Sequence, residues 1–149
     1  MRQIDEAVAE VFQVMLDKPC AVIHASCPCL AQVRASVSLA GAVQAQCSVE
    51  FSTESARQLT SAFLGEAPPD PSDEAILADT VGELCNMIAG GWKKRLGPQA
   101  CDTNLSVPST SLCRPVECAA PPQAPVHSRA YSFDGSSFIV SLTLIKAPG

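Results

Sequence analysis

Aromatic side chains are scarce in this chain, at 5% of 149 residues, so its core must be built chiefly from Ala, Val, Leu and Ile. Basic clusters are absent apart from Lys93-Lys94-Arg95, and the net charge is −5. That balance argues against a nucleic-acid surface. No apolar run approaches the roughly 20 residues of a membrane span. The only histidines, His24 and His127, stand apart, with no G-x-S-x-G elbow near either. A Ser/His/Asp or Cys/His hydrolase is therefore unsupported. There is also no G-x-G-x-x-G, no Walker loop and no alternating strand-helix repeat, which sets nucleotide-binding folds aside.

What is present suffices for one domain spanning 1–149, with 47% hydrophobic residues. The opening MRQIDEAVAEV is acidic and periodic, unlike a signal peptide, so a cytoplasmic location is expected. Eight cysteines (20, 27, 29, 47, 85, 101, 113 and 118) invite a disulfide or metal reading. Without an export signal disulfides are not expected. Cys27-Pro-Cys29 and Cys113-x4-Cys118 lack paired C-x2-C zinc spacing, and no metal is expected, although Cys27 and Cys29 are the first ligands to suspect. Cys47 and Cys85 fall inside regular elements, where cysteine acts as a small hydrophobe.

Hydrophobic periodicity divides the chain into elements. A helix is expected over 3–17, with Ile4, Ala7, Val8, Val11, Val14 and Met15 inward and Glu10 and Gln13 three apart on its polar side. Residues 20–25 suit a short strand, broken by Ser26-Cys27-Pro28-Cys29. Val33 to Leu39 and Ala42 to Phe51 alternate, turn at Ala40-Gly41, and read as a hairpin with one apolar face. Ser52 or Thr53 caps a helix to about Phe63, with Ala56, Leu59, Thr60 and Phe63 inward and Gly65 at its C-cap. After Pro98 the chain is loop-like, with a short strand near Leu105 to Pro108 and a proline-rich segment over 113–125 that is expected to be extended or mobile. A final hairpin joins Val126–Phe133 to Ser137–Ile145 through Asp134-Gly135. The sum is an α+β fold, with helices packed on a mostly antiparallel sheet.

The dominant element is a long helix from Asp70 to Leu96, with Asp70 as cap, Pro71 at the first position and Lys93, Lys94 and Arg95 in the last turn. Leu77, Thr80, Val81, Leu84, Ile88 and Gly91 share one face, with Ile76 and Met87 at its margin. Opposite them Asp79, Glu83, Asn86, Gly90 and Lys93 follow a 4-3-4-3 spacing that keeps them in line. Ala75, Gly82 and Ala89 make a small-residue edge beside that line, suited to close approach by another surface. Solvation is the ordinary account of a polar face. Here an uncharged Asn is a poor helix former, and Gly90-Gly91 costs about 1 kcal/mol per glycine against alanine. Something beyond helix stability can have selected them.

The string Val81-Gly82-Glu83-Leu84-Cys85-Asn86-Met87-Ile88-Ala89-Gly90 resembles the active-site helix of the CheX branch of the CheC/CheX/FliY chemotaxis phosphatases, whose signature is a Glu and an Asn three apart in a G-E-x-x-N-M-I-A-G setting. The element order is similar from the first helix to the final hairpin. The resemblance implies a CheC/CheX-like fold and a phosphatase acting on the aspartyl phosphate of a CheY-type response regulator. Asn86 is then the group that holds the attacking water, and Glu83 the anchor for a cation in the regulator's site. Asp79, Gly82, Gly90 and Lys93 become partner contacts. No cofactor of the chain's own is implied, since Mg²⁺ belongs to the partner receiver, and a homodimer is implied by resemblance alone. A second Glu/Asn site lies on the first helix of CheC and FliY; here Glu10 and Gln13 lack the surrounding glycines and read as a solvated face. The alternative function is a non-catalytic adaptor that docks a receiver domain without turnover.

Overall fold

The computed structural model describes residues 2–23, 32–112 and 126–146. Helix α1 (Arg2–Val11) runs into a π-helical turn (Phe12–Leu16), followed by strands β1 (Ala21–Ile23), β2 (Val33–Ala40) and β3 (Gln44–Phe51). Helices α2 (Thr53–Leu64) and α3 (Glu74–Arg95) come next, then β4 (Asn104–Leu105), β5 (Ser109–Leu112) and the hairpin β6 (Val126–Phe133) and β7 (Ser136–Lys146). All strand pairs are antiparallel, in the order β1-β6-β7-β3-β2, with β4 and β5 sharing the far edge of β2.

Alternation decides which sheet face is covered. Val33, Ala35, Val37 and Leu39 of β2 are buried, as are Ala45, Cys47, Val49 and Phe51 of β3, in the register the sequence pattern implies. The three helices lie over this face. Ser52 caps α2 through its Oγ, which accepts from the Ser55 amide at 3.1 Å, and Gly65 closes the helix at φ 66°. The β6-β7 turn takes left-handed φ at Asp134 and Gly135, as a tight type I′ hairpin requires. The scarce aromatics are concentrated, not dispersed. Phe12, Phe51, Tyr131 and Phe133 gather round Phe138, with ring centroids 4.8–5.9 Å apart.

Several local expectations are corrected. The α-helical period of the first helix ends at Val11, and the wider π turn rotates the following side chains. Phe12 is buried there, whereas Val14 is 71% and Met15 55% exposed. The long helix starts at Glu74, not at Asp70. Asp70 instead closes a turn, its carboxylate accepting from the Ser72 amide at 2.9 Å and hydroxyl at 2.7 Å. The short strand expected near 105–108 is two strands, β4 and β5, flanking Ser106-Val107-Pro108. The readings placed on His24, on Cys27 and Cys29, on residues 24–31 and on 113–125 with Cys113 and Cys118 lie outside the described residues.

Helix α3 is enclosed on three sides, which sets the site. Leu77, Val81, Leu84, Cys85, Ile88 and Trp92 are buried, and Cys85 Sγ lies 3.4 Å from the Cys47 carbonyl oxygen of β3. The hydrogen bond with the neighbouring Cys85 thiol, then burial, push the Cys47 thiol well above its ordinary pKa, so Cys47 stays protonated in the core. On a second side, a Cβ at Gly91 would sit 3.3 Å from Ala7 Cβ of α1. On the third, a Cβ at Gly82 would meet Thr110 Cγ2 at 3.0 Å and Pro108 Cβ at 3.5 Å. The buried arc is thus wider than the apolar stripe alone.

Candidate functional site

What α3 leaves uncovered is a strip running along the helix. Asp79 and Glu83 are exposed, and Asn86, Gly90 and Lys93 are half-buried. Glu83 and Asn86 occupy consecutive turns, so their side chains are neighbours. Among the described residues, neither has a hydrogen-bond or ion-pair partner in the chain. Their polar groups are free for a ligand.

Gly82 does not belong to this strip. It is buried, and the close approach that its small size permits is made by Pro108 and Thr110 of the same chain. The expectation that it faces a partner is therefore corrected: the small-residue edge seats β5. Ala89 on the same edge is buried as well. Gly90 remains available. A Cβ there would meet only Leu105 Cδ1, at 3.8 Å, and Gly90 lines grooves on both sides of the strip. One, of about 730 Å³, is bordered by Lys93, Lys94, Pro98, Cys101 and Leu105. The other, of about 300 Å³, lies between α1 and α3 and is lined by Val14, Met15, Met87 and Lys94.

The second pair, Glu10 and Gln13, has a structural role. Arg95 ends α3 pointing at α1, where its guanidinium pairs with Glu10 and lies 3.5 Å from Glu6. It also donates to the Gly91 carbonyl at 3.0 Å. Hydrogen bonding from Arg95, with its positive charge, lowers the Glu10 pKa below the ordinary glutamate value. Gln13 donates to Asp17 at 3.1 Å. Arg95 thus clamps α3 to α1, and Glu10 is committed. Sequence spacing alone had no means of showing which glutamate was engaged.

The first helix is fixed to the sheet by a second polar cluster. Tyr131 Oη donates to Asp5 at 2.6 Å, and Arg129 donates to the other carboxylate oxygen. Burial, then the Asp5 carboxylate, raises the tyrosine pKa, so the phenol stays protonated. Among the described residues no three His, Cys, Asp or Glu side chains converge as a metal site. No helix of the described residues is long and apolar enough to cross a membrane.

Three helices cover one face of an antiparallel sheet, and the longest of them keeps a Glu and an Asn, unpaired among the described residues, on its uncovered strip. Residues 33–128 match the family described as chemotaxis phosphatase CheX, and the chain belongs to that family. Its fold is that of CheX from Vibrio vulnificus, with a TM-score of 0.78 at 17% identity, covering 97% of this chain and 95% of that one. CheX from Desulfovibrio desulfuricans superposes at 0.76 with 21% identity, covering 96% and 97%. The CheX-CheY-BeF3-Mg²⁺ complex from Borrelia burgdorferi includes a match at 0.77 with 20% identity, covering 97% of each chain. A search of curated proteins finds no match.

Proposed function

We propose that this chain accelerates hydrolysis of the aspartyl phosphate on a CheY-type receiver, with Asn86 positioning the attacking water and Glu83 anchoring the receiver. The observation that carries this reading is the Glu83-Asn86 pair, uncommitted within the chain and presented on the uncovered strip of α3. Family membership supports it, as does a fold shared with the protein crystallised with CheY.

The chemistry asks little of the helix beyond position. A receiver that holds its own Mg²⁺ already neutralises much of the phosphoryl charge, and water must attack in line with the leaving carboxylate. A carboxamide oxygen accepts a hydrogen bond from that water and fixes its direction, so Asn86 need not act as a base. A hundredfold acceleration corresponds to about 2.7 kcal/mol, within the range of one well-placed group. Glu83, one turn earlier, meets a cation beside the receiver's phosphorylation site and sets the helix against it. Asp79, Gly90 and Lys93 border the contact. The homodimer is part of the same reading, and sedimentation of the intact chain at micromolar concentration tests it.

The decisive measurement is the decay of CheY-type receivers phosphorylated with acetyl phosphate and Mg²⁺, alone and with this chain or its Asn86→Ala variant. Acceleration lost in Asn86→Ala while binding persists is the expected result. Binding without acceleration by the wild type makes the chain an adaptor. Neither binding nor acceleration with any receiver returns Glu83 and Asn86 to a solvated helix face.

A further inference from the structure

The polar strip is bordered on both sides by apolar side chains that the fold holds out into solvent. On one side, Leu105 approaches Gly90 and Pro108 approaches Gly82, so the segment between them runs antiparallel to α3 across the turn of Asn86. Val107 lies in that segment and is 85% exposed. The segment is fixed: the Ser106 amide donates to the Ser38 carbonyl at 2.9 Å, and Ser106 Oγ accepts from the Ser38 amide at 2.9 Å. On the other side the π turn, anchored by buried Phe12, turns Val14 and Met15 outward along a groove that they share with Met87 of α3. The π turn forms the last turn of this helix, closed by Asp17 in the left-handed conformation, and π turns are often found at functional sites.

We propose that the receiver is gripped by two apolar contacts that straddle the Glu83-Asn86 strip, Val107 on one side and Val14 with Met15 on the other. This inference rests on the reading of the strip as the receiver's docking site. The arrangement selects its occupant. A single amphipathic helix needs a continuous apolar groove, and here Glu83 and Asn86 interrupt it. An anionic membrane is opposed by Asp79, Glu83 and a net charge of −5. A folded partner that places a polar, reactive pocket between two apolar shoulders satisfies both shoulders and strip at once. Apolar contacts around a polar centre also exclude water from it, which strengthens the interactions made there. Because Val107 is already held by the Ser106-Ser38 bonds, its contact costs little ordering on binding.

These side chains should govern affinity and leave the chemical step alone. The test compares wild type, Val107→Ser and the double variant Val14→Ser with Met15→Ser, using the intact chain and CheY-type receivers phosphorylated with acetyl phosphate. Each variant should raise KM, and Kd for the BeF3⁻-activated receiver, by about fivefold to tenfold, with kcat changed by less than about twofold. All three residues are well exposed, so the variants should melt as the wild type does. Leu144→Ser with Ile145→Ser, on exposed positions at the end of β7, should change neither constant. Unchanged KM and Kd in both variants, with an active wild type, overturn this inference and leave the phosphatase reading standing. A fall in kcat alone overturns it too. A wild type that neither binds nor turns over any receiver removes the reading and this inference together.

Discussion

Arg95 at the end of α3 pairs with Glu10 of α1, and this contact joins the helix that carries the candidate site to the helix that borders it. The Glu10 carboxyl titrates below its ordinary value because Arg95 favours its charged form. A carboxyl with a lowered native pKa stabilises the fold fully above its unfolded pKa, and that contribution is lost as pH falls through the native value. The gap in urea midpoint between wild type and Glu10→Gln should thus be constant at neutral pH. It should narrow once the pH drops below the ordinary glutamate value of 4.5. The buried lone tryptophan, Trp92, reports the transition. A gap that widens with acid would show that another group dominates.

Much of this architecture was legible because it follows from periodicity. The alternation of Val33, Ala35, Val37 and Leu39 against Ala45, Cys47, Val49 and Phe51 sets both strands and their buried face. The line from Asp79 to Lys93 follows likewise from 100° per residue, and four turns of it lie on the uncovered strip. What was illegible depends on partners distant in sequence. Gly82 looks like an opening for another protein until Pro108 and Thr110 fold onto it. Arg95 reads as one more last-turn cation until α1 supplies Glu10, 85 residues away. Val14 and Met15 read as core because nothing local announces the π turn, which places Phe12 in the aromatic cluster around Phe138.

Tyr131 and Asp5 form the other tie between α1 and the sheet. Tyr131→Phe removes a hydrogen bond to a carboxylate and leaves Arg129 as its partner, at a cost of about 1–2 kcal/mol. Asp5→Ala should cost more, since it leaves a buried phenol without an acceptor and releases Arg129. Chemical denaturation of the three proteins checks the order. A Tyr131→Phe variant less stable than Asp5→Ala would assign the tie to packing.

Under the proposed function, Glu83 should act through charge and Asn86 through position. If Glu83 meets a cation on the receiver, Glu83→Gln should raise KM about fivefold at low salt while changing kcat little. The difference should shrink between about 0.02 M and 0.5 M salt, as screening weakens the wild-type contact. Steady-state turnover of phosphorylated receiver at several ionic strengths measures this. An equal penalty at every salt concentration would point to a steric or hydrogen-bonding role.

Gly90 and Gly91 are adjacent in sequence but face different surroundings, and that difference separates stability from docking. Alanine at either position gains about 1 kcal/mol of helix propensity. At Gly90 the added methyl meets only Leu105 Cδ1 at 3.8 Å, so Gly90→Ala should keep most of that gain. At Gly91 it presses on Ala7 Cβ at 3.3 Å, and α1 must shift while Arg95 and Asp5 hold it in place. Gly91→Ala should therefore be less stable than Gly90→Ala by about 1–2 kcal/mol. Binding should rank them in reverse. Gly90 lies on the strip, where a methyl should obstruct a receiver docked as proposed, whereas Gly91 faces α1. Denaturation midpoints and KM for phosphorylated receiver, measured on the same two variants, decide the point. A Gly90→Ala protein that is stabilised and also keeps its KM would show that the receiver does not come close to this turn of α3.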